Sequence, residues 1–256
     1  MQGDSIDFNS SSPLVISEDS SIGTVIGSIS AAEQYKDTNI TFSLVSHMPS
    51  SVNPVLWLDA SVLDFAGEIW EDKSQSNNHA TRNGSAQGFP SVINNYQNGH
   101  SVIHYNGAPK AYHEFKEIGN VRTVFWVAAR RSGSGSLLGD ADSSQFFSST
   151  NAFWLNGMAD SAVISGDTFL RGRKINGLLT NVPSSLEVLS FRSSEDLNAS
   201  RFGRSSNGKA FIGELGELLI FNESLANWQM AQVERYLAQK WKLPIDRSSS
   251  EFSLDS

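Results

Sequence analysis

The sequence predicts an all-β fold, two packed sheets carrying one helix near the C-terminus, with a smaller β-unit ahead of them. Three observations carry that reading. Short apolar, β-prone runs recur between positions 55 and 191, divided by clusters of Gly, Ser, Asn and Asp, as in sandwiches and barrels. Only residues 227–242 show convincing helical periodicity, with Met230, Val233, Leu237 and Trp241 recurring at spacings of three, four and four. The 256 residues are 39% hydrophobic and 10% aromatic, enough core for one large β domain and a small neighbour.

The elements follow in chain order. Residues 14–16, 24–26 and 40–44 are three short strand signals separated by turn-rich sequence, and they define a first unit over 1–50. The main domain spans 54–243. Its opening strand, 55–58, ends at Asp59. A second strand, 68–70, runs into the polar turn 72–78. Residues 101–105 form the next strand, and 122–129 (RTVFWVAA) are apolar enough for a buried central strand. Further short strands are predicted at 136–138, 145–147, 152–155, 161–164 and 186–191. Asn176-Gly177 reads as a hairpin turn between 173–175 and 178–180. Residues 212–221 form the closing strand, where Gly216 marks a bulge or close backbone approach. The helix follows, with Asn227 as its N-cap and Pro244 as its stop. Residues 244–256 are a linker whose segment 251–255 reads as a last strand.

Composition excludes several classes of function. With no cysteine there is no disulfide framework, no thiolate zinc site and no thiol nucleophile. The net charge of −8 argues against nucleic acid or an anionic membrane as the main partner. No apolar run is long enough to insert into a bilayer. Residues 1–12 lack a basic start followed by an apolar stretch, so they do not read as a signal peptide. The Ser-rich ends, 10–12 and 248–250, read as cut linkers within a longer chain.

Two resemblances sharpen this picture. VISEDSSIGTVIGSISAAEQ followed by NITFSLV resembles the opening strands of a cadherin-like repeat, an Ig-type β-sandwich. The segment covers only the first half of such a repeat, and Glu33-Gln34-Tyr35 stands where the family's calcium-binding Asp-x-Asp run belongs. Strand 251–255 (EFSLD) resembles the one that follows in the same repeats, which would make this a sandwich split by an inserted domain. In the main domain, LWLDAS, IWEDKSQSNNHAT, SVIHYNG, TVFWVAA, FIGELGELLIFNESL and VERYLAQKWKL occur in the order of a laminin-G-like jelly roll. This is the concanavalin-A-like lectin/glucanase sandwich of large bacterial surface adhesins. The resemblance implies a two-sheet jelly roll and an extracellular or cell-surface setting; it does not name a ligand.

Candidate sites come from residue chemistry. For a metal, calcium suits an acidic, Cys-free, oxygen-rich chain. Asp59, Asp72 and Asn78 follow the first two strands, and Glu217 sits on the closing strand, which in jelly rolls lies near the first. Asp140 and Asp142 occupy alternate positions of one loop. Sugar binding needs an aromatic platform and polar groups for hydroxyls, for which the candidates are Tyr112, His113, Asp140, Asp142, Trp154, Asn156, Arg201 and Arg204. Catalysis has weaker support. Glu214 and Glu217, three apart, face opposite ways on a regular strand, and the Glu-x-Asp-x-x-Glu pattern of glucanases is absent. A lyase would draw its base and neutralising cation from Tyr105, Tyr112, His104, His113 and Arg122.

The expectation is therefore a non-enzymatic module binding a carbohydrate, with calcium as a candidate cofactor, an extracellular or cell-surface glycan as partner, and flanking domains in a larger adhesin. A glycosidase or polysaccharide lyase on the same sandwich, or a spacer with a protein ligand, are the alternatives.

Overall fold

The structure, a computed structural model, describes residues 48–61, 68–86, 88–143, 145–206 and 208–246. The chain divides into two units, 1–44 and 45–256, and the described residues belong to the second. The cadherin-like reading of 1–50 and the returning strand 251–255 thus lie, apart from 48–50, outside the described residues.

The described residues form an all-β, antiparallel fold with two helices. In chain order the elements are β1 (Leu56–Asp59), β2 (Ile69–Trp70), β3 (Ala80–Asn83), β4 (Ser91–Gln97), β5 (His100–Asn106), β6 (Tyr112–Ser132), α1 (Ser161–Ser165), β7 (Asp167–Leu170), β8 (Arg173–Ile175), β9 (Glu187–Phe202), β10 (Ile212–Phe221) and α2 (Asn227–Trp241). The strands follow the order β4-β5-β10-β6-β9-β7-β8, with β1 added on β10, β3 on the start of β6, and β2 on β3. Along β6 and β9 the register shifts three times between Glu114 and Thr123, so this long pair bends and carries two parts of the sheet. β3 pairs before the bend and β10 after it.

Alternation along the strands sorts the core into two clusters. Leu218 and Ile220 of β10, with Val124 and Trp126 of β6, enter the larger cluster. Leu219 and Phe221, with Phe125 and Val127, face the other way and meet α2. The predicted helical stripe lands there, since Met230, Val233, Leu237 and Trp241 are all fully buried. At its start Ala226 takes the N-cap position, not Asn227. Ala226 has no side-chain acceptor, so the only cap interaction is its own N–H donating to Gln229 Oε1 at 2.9 Å. Asn227 instead accepts from Arg192 at 3.1 Å.

Several expected strands are not strands. Residues 136–138, 145–147 and 152–155 are irregular, although Leu137, Leu138, Phe146, Phe147, Phe153 and Trp154 are core residues. Their backbone groups pair loop to loop, as when Phe153 N–H donates to Thr180 O and Trp154 N–H to Gly177 O. Residues 161–164 are helical, started by Asp160, whose carboxylate accepts the N–H of Ala162. The hairpin turn falls at Arg171-Gly172, both with positive φ, between β7 and β8. Asn176 caps its own turn by accepting the N–H of Leu178, and 178–180 is not a strand. Conversely, β3, β4 and β7 form where no strand was expected.

Candidate functional site

Two polar centres arise from the candidate residues. The first lies beneath α2. Register pairs Asp59 of β1 with Glu217 of β10, so the two acids meet as expected. A bulge between Leu215 and Glu217 keeps Glu217 on the helix side. There Gly216 is required, because a Cβ would sit 2.7 Å from the Trp241 ring. Glu217 is fully buried, and four donors surround it: Trp57 Nε1 at 2.7 Å, Trp241 Nε1 and Lys240 Nζ at 2.8 Å each, and Tyr236 OH at 3.4 Å. Lys240 also pairs with Asp59 at 2.7 Å, and Lys73 reaches the same Asp59 oxygen at 2.5 Å.

Electrostatics separate the two carboxylates. Burial alone would raise the Asp59 pKa, but Lys240, Lys73 and Ser61 outweigh it and hold the pKa at about 2. Glu217 is pushed up, first by burial and then by the Asp59 charge, against the pull of Lys240 and Trp241. Asp72 is engaged by the N–H groups of Trp57, Ser74 and Asn78 and by the Ser74 hydroxyl, all within 2.9 Å. The Asn78 side chain exchanges hydrogen bonds with the backbone of Lys116. Asp59, Asp72, Asn78 and Glu217 therefore direct their oxygens to ammonium, hydroxyl and N–H donors of the protein itself. Among the described residues no group of three or more His, Cys, Asp or Glu side chains could hold a metal. Lys240 was missed in the sequence. The available signal was an acid inside the apolar run of β10, which demands a buried partner.

The second centre joins the start of β6, the end of β9 and the loop 139–143. Tyr112 opens β6, and the guanidinium groups of Arg201 and Arg204 lie 5.3 and 5.9 Å from its ring centre. Gly139 ties the loop to β9, donating its N–H to Arg201 O at 2.9 Å and accepting the N–H of Arg201 at 3.0 Å. Only glycine fits there, since a Cβ would lie 2.3 Å from Arg204 O. Asp140, next in the loop, is buried. It accepts the Ser200 hydroxyl at 2.8 Å and the N–H groups of Asp142 and Ser143 at 3.0 Å. Burial works to raise its pKa, but these hydrogen bonds prevail and lower it. Asp142 is exposed on the same loop. Tyr112, Asp140, Asp142, Arg201 and Arg204 thus come together from three segments.

The other candidates lie elsewhere. His113 faces the interior, 1% exposed, hydrogen-bonded to Tyr105 OH at 2.7 Å and edge-on to Trp70. Burial, and then the Arg82 charge, hold its pKa at about 3, so it is neutral. Trp154 is buried, donates to Thr168 Oγ1 at 2.7 Å, and floors a cleft of about 500 Å³ lined by Asp167, Lys174, Asn176 and Gly177. No ring face is left for a sugar. Asn156 is exposed on a neighbouring loop.

The catalytic alternatives also have a definite geometry. The bulge puts Glu214 and Glu217 on one face of β10, contrary to the regular-strand expectation. Glu214 is engaged by Arg131 at 2.8 Å and His104 at 3.2 Å, and Arg131 in turn bonds Tyr96. The suggested lyase set does not converge, because Tyr105 and His113 bond each other inside, His104 serves Glu214, and Arg122 pairs with Asp196 at 3.5 Å.

Among the described residues no helix is long and apolar enough to cross a membrane. Comparison of this chain with protein-family models, with curated proteins and with solved structures finds no match.

Proposed function

We propose that this domain is a non-catalytic carbohydrate-binding module, held with neighbouring domains in a larger extracellular or cell-surface adhesin. The observation that carries the proposal is the Tyr112, Arg201 and Arg204 group beside the Asp140 loop. It joins an aromatic ring to two fork-shaped donors at the ends of long strands, a combination sugar recognition uses. The resemblance of the main-domain motifs to a laminin-G-like jelly roll supports the same reading, as an argument from fold alone.

A glycan array probed with the full chain, with calcium and with a chelator, tests it. Binding to a defined glycan class, lost in Tyr112→Ala, supports the proposal, and loss with chelator would add calcium to it. An array without any bound glycan overturns it. A second reading, a polysaccharide lyase, has one observation in its favour: Tyr96, Arg131, Glu214 and His104 form a connected polar group. Depolymerisation of uronic-acid polymers, abolished by Tyr96→Phe, would favour that reading instead.

A further inference from the structure

At the Tyr112 site the guanidinium groups of Arg201 and Arg204 form no ion pair with any described residue. Arg201 is only 8% exposed, yet its guanidinium makes no hydrogen bond or ion pair with any described residue. Arg204 is half-buried and in the same condition. In both, Nε is buried without an acceptor, while the terminal nitrogens reach solvent. Both cations lie against one ring, that of Tyr112.

The nearby acids Glu114, Asp140 and Asp142 form no ion pair with either arginine. Glu114 stands opposite Arg201 in the strand register without forming an ion pair with it. The Asp140 carboxylate is already occupied by Ser200, Asp142 and Ser143. Two half-buried arginines elsewhere are paired with acids. Arg171 pairs with Glu187, and Arg192 with Asp167 at 2.7 Å. An arginine stem fixed by packing with its fork unspent is a preorganised oxyanion receptor, because guanidinium donors match carboxylate and sulfate geometry.

Building on the carbohydrate reading above, we infer that this site selects acidic sugars, seating one carboxylate or sulfate group between the donors of Arg201 and Arg204. Tyr112 holds both guanidinium groups in place.

The test is titration calorimetry of the full chain with three trisaccharides sharing one backbone: neutral, uronic-acid-bearing and sulfated. The acidic forms should bind on the order of tenfold or more tightly than the neutral one, as charge-assisted hydrogen bonds imply. Arg204→Gln should bring acidic-sugar affinity down to the neutral level. Arg201→Gln should do the same, with circular dichroism and melting temperature checking that this more buried variant folds. A preference for the uronate over the sulfate, or the reverse, identifies the oxyanion. Equal affinity for neutral and acidic sugars, with Arg204→Gln unchanged, overturns the inference and leaves the carbohydrate reading standing. If none of the three binds, both fall.

Discussion

At the scale of single residues, Glu217 controls the contact between helix and sheet. Its two oxygens serve two indoles, one phenol and one ammonium, drawn from β1 and α2. Removing such a group strands buried donors, and breaking a buried pair costs about 3–5 kcal/mol. Glu217→Ala should therefore lower stability by roughly that amount, read from the urea midpoint. Tryptophan emission should report the same event, since Trp57 and Trp241 both lose their acceptor. Lys240→Met should cost at least as much, because it leaves both Asp59 and Glu217 without their shared cation. A double variant that costs less than the sum of the two singles would establish the coupling. Additive losses would show that the ammonium and the carboxylate act separately.

At the scale of elements, α2 is well packed but poorly capped. Ala226 is exposed and has no oxygen to accept the first free N–H groups of the helix. Ala226→Ser should stabilise the domain by about 1 kcal/mol, raising the melting temperature by about 2–4 °C. Gly216→Ala should do the opposite, because its methyl would press into the Trp241 ring and shift the helix by the cost of overpacking, about 1–3 kcal/mol. Differential scanning calorimetry measures both. These elements also show what could be read from the sequence. The stripe of α2 and the run of β10 were legible because each carries a clean periodicity and a large apolar load. The loop core around Phe146, Phe153 and Trp154 was misread as strands, since a short apolar run says that a segment is buried but not how its backbone is paired. The first half of β6 and the second half of β9 escaped because register shifts interrupt their alternation. At the site, Tyr112, Arg201, Arg204 and Asp140 could be named as residue types, but their meeting depends on Gly139 and on pairing across about 60 residues. The acid within β10 signals a buried partner, but that Lys240 is the partner depends on how α2 packs on the sheet.

At the scale of the whole molecule, acid sensitivity should follow from one buried histidine. His113 is held neutral, with a folded pKa of about 3 against an ordinary value of 6.5. Below 6.5 the unfolded chain binds a proton that the folded state refuses, so stability is complete above that pH and falls as pH drops towards 3. Between pH 7 and pH 5 the loss from this residue is about 2 kcal/mol. Two other groups act differently. Asp59, with its pKa lowered to about 2, gives stability that is present above 3.8 and is lost only as pH falls through that lower range. Glu217, raised by burial and by Asp59, takes up its proton earlier when folded, so acid favours the folded state at that position. Comparing wild type with His113→Gln isolates the histidine, since glutamine keeps a polar partner for the Tyr105 hydroxyl but does not titrate. Urea unfolding at pH 7 and pH 5 should show a loss for wild type that is about 2 kcal/mol larger than for the variant. Equal losses would place the acid sensitivity elsewhere and show that His113 meets protons more readily than its buried position against Trp70 and Tyr105 implies.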